Sequence, residues 1–226
     1  MSVVRKQKEK NSMKRIYFVR HGETVANVES KVQGLEDPLT PEGELQALRV
    51  AERFLSLPID LCLSSDAVRA KQTAQHIGDS LKLPFIYSSL FREIRRPTSL
   101  VGLSRDTEPY QSFRVAERAH FGEDWHMEDE ESYPDRVRRA KEALALIDAQ
   151  EGSDILVVTH GHFLRFLIST ILLGNSMSPE VWLNMETSFW TSNTGITVCT
   201  RGEKRWRLLT WNDHAHFGDN VFQESS

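Results

Sequence analysis

Short apolar runs alternate with segments of helical apolar spacing along most of this chain. Six apolar, β-prone runs predict strands, at positions 15–19, 59–63, 83–86, 155–158, 196–199 and 206–209. Apolar residues at helical spacing predict four helices, marked by Leu45, Leu48, Ala51 and Leu55, by Ala67, Ala70, Ala74 and Ile77, by Val137, Ala140, Leu144 and Ile147, and by Phe163, Leu167, Ile171 and Leu172. The repeated alternation favours an α/β fold in which helices cover both faces of a mainly parallel sheet.

Polar residues mark where two of these helices begin. Thr40 is predicted to cap the first helix, because Pro41 then occupies the first helical position and Gly43 lies near the third. Asp66 is predicted to cap the next helix.

The alternation stops between residues 92 and 131, where the sequence is charged, aromatic and irregular. Pro97, Gly102, Pro109 and Gly122 interrupt this segment. An irregular stretch of this length in a compact domain is usually functional or disordered. We therefore predict a lid or specificity insertion at about 95–131, and we interpret its acidic end, residues 128–131, as a solvated run before the next helix.

The composition is that of an ordinary soluble globular protein. The chain has 226 residues, of which 39% are hydrophobic and 27% charged. No run approaches the roughly 20 apolar residues that span a bilayer, and the first residues lack the apolar core of a signal peptide. We therefore expect a cytoplasmic protein with no membrane partner. Cys62 and Cys199 lie in apolar, strand-like runs and are expected to be buried free thiols.

Charge is distributed unevenly along the chain. The net charge is −4, yet residues 1–15 hold six basic residues and one acid, so the rest of the chain is more acidic than the total indicates. An acidic body argues against general nucleic-acid binding. We expect a disordered basic tail at residues 1–13, a single domain at 14–213 and a C-terminal tail at 214–226.

Residues suited to binding phosphate follow the predicted strands. Arg20-His21 ends the first strand, Ser64-Ser65 ends the second with Arg69 one turn further, Glu93 follows the third, and His160-Gly161 ends the fourth. Parallel strands bring their carboxyl ends to one edge of the sheet, where such folds bind ligands. Arginine holds phosphate oxygens bidentately, a neutral histidine can attack phosphorus, and a glutamate can move the proton. The set therefore predicts a phosphoryl-transfer site that uses no metal.

These residues lie in blocks that resemble the histidine phosphatase superfamily, which includes the phosphoglycerate mutases. The blocks are Arg20-His21-Gly22-Glu23-Thr24 with Asn27, Gln33-Gly34 with the helix entry at 37–43, the segment 64–74, Phe91-Arg92-Glu93-Ile94, and Thr159-His160-Gly161. The resemblance runs from Ile16 to about Asn212, and the shared order of the blocks makes it specific. It implies a three-layer α/β/α sandwich of the phosphoglycerate mutase type that needs no metal or other cofactor.

The resemblance also implies a role for each matching residue. His21 becomes the phosphohistidine and Glu93 is the proton donor. The transferring phosphoryl group is bound by Arg20, Arg69 and His160. Further substrate contacts come from four residues: Asn27, Gln33, Gly34 and Gly161.

Two departures from the family pattern bear on the activity. The loop from Gln33 to Thr40 is one residue shorter than usual. Mutases continue after the acid with an Arg-His-Tyr-Gly-like stretch, whereas Glu93 here precedes Ile94-Arg95-Arg96-Pro97, and the Gly-rich, Trp-containing continuation of many small phosphatases is also missing. The leading hypothesis is a phosphatase that hydrolyses small-molecule phosphomonoesters. The alternatives are a phosphoglycerate mutase and a non-catalytic phosphate-binding or protein-interaction module.

Several charged side chains near the proposed acid have two interpretations. Arg92, Arg95 and Arg96 either bind a second negative charge on the substrate or pair with the acids at 128–131. Glu93 is either the proton donor or an ordinary solvated glutamate after a strand.

The remaining histidines are interpreted as structural. His162 is expected to begin a helix and to point away from the site. The pairs His160/His162 and His214/His216 lack the accompanying cysteine or carboxylate ligands of a zinc site, so no metal site is predicted.

Overall fold

Six strands form one sheet in the part of the chain that this computed structural model describes, residues 13–203 and 205–218. The strands are β1 (Lys14–Arg20), β2 (Leu61–Ser64), β3 (Phe85–Tyr87), β4 (Asp154–Thr159), β5 (Ile196–Arg201) and β6 (Trp206–Asp213). Their order across the sheet is β3-β2-β4-β1-β5-β6. The strands from β3 to β1 are parallel, whereas β5 is antiparallel to both of its neighbours. The prediction of a mainly parallel sheet is confirmed.

Seven α-helices lie within the described residues. They are α1 (Val25–Val28), α2 (Pro41–Phe54), α3 (Val68–Leu81), α4 (Glu108–Ala119), α5 (Tyr133–Ala149), α6 (Gly161–Leu173) and α7 (Pro179–Ser188). Apolar spacing predicts α2, α3, α5 and α6, but it does not predict α1, α4 or α7.

Helices cover both faces of the sheet, as the alternating side chains of its central strands require. On β1, Ile16 and Phe18 pack on one side with residues of α5, α6 and α7. Tyr17 and Val19 pack on the other side with residues of α2 and α3. All four side chains are buried. The three-layer α/β/α sandwich is therefore confirmed.

Of the four residues whose spacing predicts α2, only Ala51 is buried. Leu45, Leu48 and Leu55 are exposed over 48%, 45% and 61% of their surfaces, whereas Val50 and Phe54 are fully buried. The other buried positions of the helix are small: Gly43, Ala47 and Ala51. Small residues let α2 approach its neighbours closely, so this side packs inward and the leucines face solvent.

One of the two predicted helix caps is present. Thr40 caps α2, because its hydroxyl accepts the N–H of Gly43 at 3.0 Å. Asp66 does not cap α3; Ala67 occupies that position without a side-chain hydrogen bond. The Asp66 carboxylate instead accepts two hydrogen bonds of 2.6 Å from Arg92. A bidentate pair with arginine is a stronger interaction than a single helix cap, which explains the error.

The segment predicted as an insertion, at about 95–131, contains helix α4 and packs with Val32 of the loop after α1 in a small apolar cluster. Val32, Leu100 and Phe113 form the buried centre of this cluster. Partly buried side chains such as Tyr110 and Trp125 surround it. A function for this segment as a lid stays a prediction.

Buried ion pairs attach the same segment to the sandwich. The Glu117 carboxylate on α4 accepts hydrogen bonds of 2.6 Å from Arg96 and from Arg136 of α5, and a further one from Arg114. Burial alone would raise the pKa of Glu117, but the three arginines hold it well below its usual range. Arg136 also pairs with Glu130 at 3.2 Å.

The acidic run at 128–131 is therefore not solvated throughout. Glu130 and Glu131 are buried, with 1% and 7% of their surfaces exposed. Glu131 accepts hydrogen bonds of 2.5 and 2.7 Å from Arg139. The expectation fails for these two residues because α5 supplies arginine partners that sequence spacing does not reveal.

The predicted tails fall largely outside the described residues. This applies to residues 1–12 and 219–226. Near the end of the described chain, Ala215–Phe217 forms a short 3₁₀ turn, and the hydroxyl of Thr194 lies 3.0 Å from Nε2 of His216.

The predicted state of both cysteines is confirmed. Cys62 and Cys199 are buried and form no disulfide. Burial raises the pKa of each thiol to about 12.

None of the helices within residues 13–203 and 205–218 combines the length and apolar character needed to cross a membrane.

Candidate active site

The carboxyl ends of three neighbouring strands meet at one edge of the sheet. Arg20 at the end of β1 lies opposite Thr159 at the end of β4, and Ser64 of β2 lies opposite Val158 of β4. The N–H of His21 continues the β1 ladder by donating to the carbonyl of Thr159 at 3.0 Å. The strand register therefore places the residues that follow β1, β2 and β4 beside one another.

His21 is buried and held in one tautomer. Its Nδ1 lies 2.7 Å from the carbonyl oxygen of Gly22, which can only accept, so Nδ1 carries the proton. Nε2 accepts a hydrogen bond of 3.2 Å from Nε of Arg69. Burial, followed by the charges of Arg69 and Arg20, lowers the pKa of His21 well below its usual value. The imidazole is neutral, and its lone pair lies on Nε2.

Two buried arginines lie beside His21. Arg69 donates from Nη1 to the carbonyl of Gly34 at 2.6 Å, and Arg20 donates from Nη1 to the carbonyl of Thr191 at 2.6 Å. Burial lowers the pKa of each guanidinium to about 10, so both are charged near neutrality. Nε of Arg20 has no hydrogen-bond partner among the described residues. A buried donor without a partner is costly and is suited to an anionic ligand.

His160 lies on the other side of His21, with 5.0 Å between the ring centres. Its Nε2 is 2.8 Å from the hydroxyl of Ser65. That hydroxyl also accepts the N–H of Ala67 at 3.2 Å, and it can donate its own proton to Nε2 of His160. In this arrangement Nδ1 of His160 carries the ring proton, and it is a second buried nitrogen without a partner in the described chain. Burial, then Arg69, lowers the pKa of His160 well below its usual value.

The carboxylate of Glu93 lies against the amino-terminal end of α6 and accepts hydrogen bonds from backbone amides. Oε1 accepts the N–H groups of Ile94 and Phe163 at 2.8 Å, and Oε2 accepts the N–H of His162 at 3.0 Å. The positive end of the helix favours an acidic side chain at this position. Glu93 is also common to three adjoining cavities, of about 350, 150 and 40 Å³. The alternative of an ordinary solvated glutamate does not describe this environment.

The four residues predicted to make further substrate contacts also border the site, and they differ in their hydrogen bonds within the protein. Asn27 caps α1 together with Thr24, and Gln33 donates to the hydroxyl of Thr24 at 2.6 Å. The N–H of Gly34 donates to Asp37 at 2.9 Å, so this amide is already used within the protein. The lining of the two larger cavities includes all four residues: Asn27, Gln33, Gly34 and Gly161.

Gly161 leaves room for the Arg20 guanidinium. A Cβ atom at Gly161 would lie 3.3 Å from Nε of Arg20 and 3.1 Å from the hydroxyl of Thr191. The absence of a side chain therefore lets α6 begin directly against the buried arginine.

His162 faces the site, contrary to the interpretation that it points away. Its side chain lines the two smaller cavities. Nδ1 lies 3.8 Å from Glu93 and Nε2 lies 3.9 Å from Glu186 of α7. Burial, then Arg165, lowers the pKa of His162 well below its usual value. The orientation depends on α7, which the sequence pattern does not predict.

Three further arginines line the site without having been singled out in the sequence, and one of them, Arg139, borders the cavity of about 350 Å³. Arg105 and Arg165 border the cavity of about 150 Å³ together with Arg20. Arg165 lies one turn beyond Gly161 on α6, and this spacing is a signal that could have identified it. Arg105 belongs to an irregular segment and has no such signal.

Asn193 also went unnoticed in the sequence. Its amide donates to the carbonyl of His21 at 3.0 Å, and it lies 3.3 Å from Oδ1 of Asn27. This contact joins the loop before β5 to the loop after β1, a tertiary relationship that sequence spacing does not encode.

The arginines next to Glu93 in sequence are paired within the protein. Arg92 binds Asp66 and Arg96 binds Glu117, in both cases at 2.6 Å. Arg95 lies 3.9 Å from the carboxylate of Asp129. All three arginines therefore pair with carboxylates of the protein. Of these partners, only Asp129 lies in the run at 128–131.

One group of possible metal ligands occurs within the described residues. Asp124, His126 and Asp135 place ligand atoms within 4.8 Å of one another at the surface. His126 lies 3.2 Å from Asp124, and Asp135 accepts the N–H of Ser132 at 3.3 Å. Hydrogen bonds and ion pairs account for the arrangement of this group.

Comparison with known proteins agrees with this architecture. A relative from Salmonella arizonae, described as a probable phosphoglycerate mutase GpmB, is 36% identical over 205 residues, covering 88% of this chain and 90% of that protein. The solved structure titled Bacillus stearothermophilus YhfR has a TM-score of 0.76 and 26% identity, covering 90% of this chain and 98% of that one. The native structure of mycobacterial glucosyl-3-phosphoglycerate phosphatase Rv2419c has a TM-score of 0.73 and 27% identity, covering 88% and 99%.

The fold and its strand-end site define an α/β enzyme of the phosphoglycerate mutase-like class. Residues 16–214 match the family described as the histidine phosphatase superfamily, branch 1. The chain belongs to this superfamily.

Proposed function

We propose that this protein hydrolyses phosphomonoesters through a phosphohistidine formed on His21. The observation that carries the proposal is a neutral imidazole whose Nε2 lone pair faces Arg69, close to two buried donors without protein partners. Those donors are Nε of Arg20 and Nδ1 of His160. Fixed donors in a buried site stabilise the charge of a transferring phosphoryl group strongly.

In the first step, Nε2 of His21 forms a bond to phosphorus as the bond between phosphorus and the ester oxygen breaks. The ester oxygen takes the proton of the Glu93 carboxyl and leaves as an alcohol. Arg20, Arg69 and His160 bind the phosphoryl oxygens during the transfer. The position of Glu93 beside three cavities supports its assignment as the proton donor.

In the second step, a water oxygen forms a bond to phosphorus as the bond to Nε2 breaks. The Glu93 carboxylate takes a proton from this water, and inorganic phosphate leaves. Asn27, Gln33 and Gly161 border the same space and provide further contacts to the substrate. For Gly34 the support is indirect, because its carbonyl positions Arg69 while its N–H binds Asp37.

The test combines turnover with direct detection of the intermediate. The wild-type protein should hydrolyse p-nitrophenyl phosphate in the presence of EDTA, and rapid quenching should trap an acid-labile, alkali-stable phosphoenzyme. His21→Ala should lose both properties. His120→Ala replaces an exposed histidine that contacts Glu123 and the ring of Trp125, and it should retain both. Undiminished hydrolysis by the His21→Ala protein would overturn the mechanism.

A phosphoglycerate mutase is the second candidate, favoured by the relative that is 36% identical and carries that description. A mutase must keep water from the phosphoenzyme until the phosphoryl group returns to the sugar acid. Assays of phosphoglycerate isomerisation with and without a bisphosphoglycerate primer separate the two activities. Release of phosphate without isomerisation supports the phosphatase.

The third hypothesis, a non-catalytic binding module, has less support. Membership of an enzyme superfamily and the convergence of all five proposed catalytic side chains argue against it. Phosphopeptide binding without hydrolysis of any member of a broad phosphoester panel would favour it.

A further inference from the structure

Arg139 of α5 uses all of its hydrogen-bond donors within the protein. Only 14% of its side chain is exposed. Nε and Nη2 donate to the two carboxylate oxygens of Glu131 at 2.5 and 2.7 Å, while Nη1 and Nη2 donate to three backbone carbonyls. These contacts use the full set of guanidinium N–H groups and pair its charge. Although Arg139 borders the cavity of about 350 Å³, its donors are therefore committed to the protein rather than to a substrate.

The three carbonyls belong to the segment that carries the proposed proton donor. They are those of Leu90, Arg92 and Glu93, at 3.1, 2.7 and 3.4 Å. The carbonyl of Phe91 accepts the hydroxyl proton of Thr159 at 2.9 Å. Residues 92–97 form neither helix nor strand, so no regular ladder of backbone hydrogen bonds holds this stretch. Side chains bind four consecutive carbonyls instead, and Arg139 binds three of them.

Arg139 also contacts the residue that orients the Glu93 carboxylate. Its guanidinium lies over the ring of Phe163, 3.9 Å from the ring centre. Phe163 is fully buried, and a cation over an aromatic face is attracted more strongly where water is excluded. The N–H of Phe163 donates to Oε1 of Glu93 at 2.8 Å. The guanidinium therefore touches both the backbone of Glu93 and the start of α6, where the carboxylate is bound.

Glu131 gives the guanidinium a single orientation. Its two oxygens bind Arg139 in the bidentate geometry that fixes the plane of the fork. Glu131 is held in turn by Arg95, at the other end of the predicted insertion. Its Oε2 accepts the N–H of Arg95 and its own N–H donates to the carbonyl of Arg95, both at 3.1 Å. The direction of the Arg139 donors is thus set from both ends of the insertion.

We propose that Arg139 is a positioning residue for the proton donor, holding Glu93 where its carboxyl group can reach the ester oxygen. This inference rests on the proposed function and adds a residue to it. Proton transfer requires hydrogen-bond distance, so a small displacement of the carboxyl group is costly. In this role Arg139 neither binds the phosphoryl group nor transfers a proton itself.

The dependence on the leaving group tests the role in the reaction. Benzyl phosphate and p-nitrophenyl phosphate are similar in size, but only the first releases an alkoxide that needs a proton. Rapid quenching measures phosphoenzyme formation from each. Arg139→Met should slow the reaction of benzyl phosphate by about 10–10² and that of p-nitrophenyl phosphate by about threefold or less. Equal losses with both substrates contradict the proposal, because damage to the fold or to phosphoryl binding affects both.

A double-mutant cycle tests whether Arg139 acts through Glu93. In a Glu93→Gln background the acid is already lost, so Arg139→Met should slow the reaction of benzyl phosphate by about twofold or less. A loss in this background as large as in the wild-type protein shows that Arg139 acts independently of Glu93 and overturns the assignment.

Two further variants separate positioning from general effects of the substitution. Arg138→Met is the matched control, because Arg138 is the preceding residue on α5, is largely exposed and pairs with Asp135. It should retain both rates. Arg139→Lys keeps a cation for Glu131, but one ammonium group cannot also bind three carbonyls. It should show the selective loss with benzyl phosphate even if Arg139→Met does not fold. Wild-type rates in Arg139→Lys overturn the role of the carbonyl contacts.

Amide hydrogen exchange tests the positioning of Glu93 without any turnover. The N–H groups of His162 and Phe163 bind the Glu93 carboxylate, so its displacement exposes them to solvent. In Arg139→Met or Arg139→Lys their exchange should accelerate about tenfold relative to amides of β4, which report global unfolding. Arg138→Met should leave it unchanged. Unaltered exchange in the Arg139 variants contradicts the proposal, whereas a wild-type protein that forms no phosphohistidine contradicts the proposed function and leaves this measurement intact.

Discussion

Nε of Arg69 donates a hydrogen bond of 3.2 Å to Nε2 of His21, the nitrogen that we propose attacks phosphorus. The arginine thus occupies the lone pair that the reaction needs. A phosphoryl oxygen must replace Nε2 as the acceptor before the bond to phosphorus can form. The same arginine therefore orients the nucleophile before binding and stabilises the phosphoryl group during transfer.

Replacing Arg69 should alter both the rate and its pH dependence. Arg69→Met should lower kcat/KM by about 10²–10³, since one charged donor to the phosphoryl group is lost. It also removes a charge that helps to hold the pKa of His21 low. The acidic limb of the kcat/KM profile, where His21 is protonated, should therefore move to higher pH. His21 remains buried in this variant, so the midpoint of the acidic limb should stay below 6.5, the ordinary pKa of histidine.

Comparison with the wild-type protein on the same substrate isolates this shift, because titration of the substrate is common to both profiles. Arg95→Met is the control. It replaces an arginine that borders the cavity of about 350 Å³, and it should leave the acidic limb in place. An unshifted limb in Arg69→Met would show that Arg69 does not set the protonation of His21.

The proposed role of Glu93 predicts a dependence on the leaving group. Glu93→Gln should lower kcat for alkyl phosphates by about 10²–10⁴, because alkoxides leave poorly without a proton. p-Nitrophenyl phosphate has a good leaving group, so formation of the phosphoenzyme from it should slow much less. The two rates are compared by rapid-quench measurement of phosphoenzyme formation. Equal losses with both substrates would instead indicate displacement of α6, whose first amides bind this carboxylate.

The hydrogen bond between Ser65 and His160 should fix the tautomer that the site requires. Ser65→Ala removes the hydroxyl 2.8 Å from Nε2 of His160, so the ring proton is no longer confined to Nδ1. We expect kcat to fall by about tenfold and the ¹⁵N NMR shifts of His160 to indicate a mixture of tautomers. Ser64→Ala is the control, since the Ser64 hydroxyl binds backbone carbonyls instead. Wild-type kcat in Ser65→Ala would contradict this role.

The strand-end residues could be brought together from sequence because their positions follow from simple rules. His21, Ser65 and His160 come directly after parallel strands, and the carboxyl ends of such strands share one edge. Arg69 is the second residue of α3, where its direction is fixed by the helix start. Local spacing and one topological rule are sufficient for this part of the site.

The remaining features depend on contacts between distant segments. The orientation of His162 and Arg165 depends on α7, through Glu186 and Phe189. Arg96 pairs with Glu117 on α4, a helix that apolar spacing did not predict. The apolar spacing of α2 also marked three leucines that are exposed, because the helix packs inward mainly through small residues.

Close packing at Gly43 makes a further prediction about α2. A Cβ atom at Gly43 would lie 2.1 Å from the carbonyl oxygen of Glu23, which no relaxation of a side chain can relieve. Gly43→Ala should therefore destabilise the protein by about 1–3 kcal/mol, although alanine is the better helix former. The loop that carries His21 should also shift and lose activity.

Thermal unfolding and turnover of the same preparation measure the two effects. Glu42→Ala, one residue earlier on the exposed side of the same turn, should change stability by about 0.5 kcal/mol or less. A Gly43→Ala protein as stable and active as the wild type would show that α2 can move away from the loop.

The buried carboxyl group of Glu130 should make stability fall as pH rises. Burial, followed by repulsion from Glu117, raises its pKa from 4.5 to about 7, although Arg136 and Arg96 act in the opposite direction. Between these values the folded state binds a proton that the unfolded state does not, so the contribution of Glu130 to stability decreases as pH rises through this window. Above it, the folded protein retains an ionised carboxylate in a buried position.

Glu130→Gln removes this cost while keeping an oxygen to accept the hydrogen bond from Arg136. Its Tm should exceed that of the wild type by about 2–4 °C near pH 8, which corresponds to about 1 kcal/mol in a domain of this size. The difference should shrink as pH falls towards 4.5 and vanish below it, where the carboxyl is protonated in both states. Titration of Glu117 affects both proteins and cancels in the comparison. Glu128→Gln, at an exposed position two residues away, should show no such gain. A Tm difference that is constant across this range would mean that Glu130 is already ionised and compensated in the folded protein.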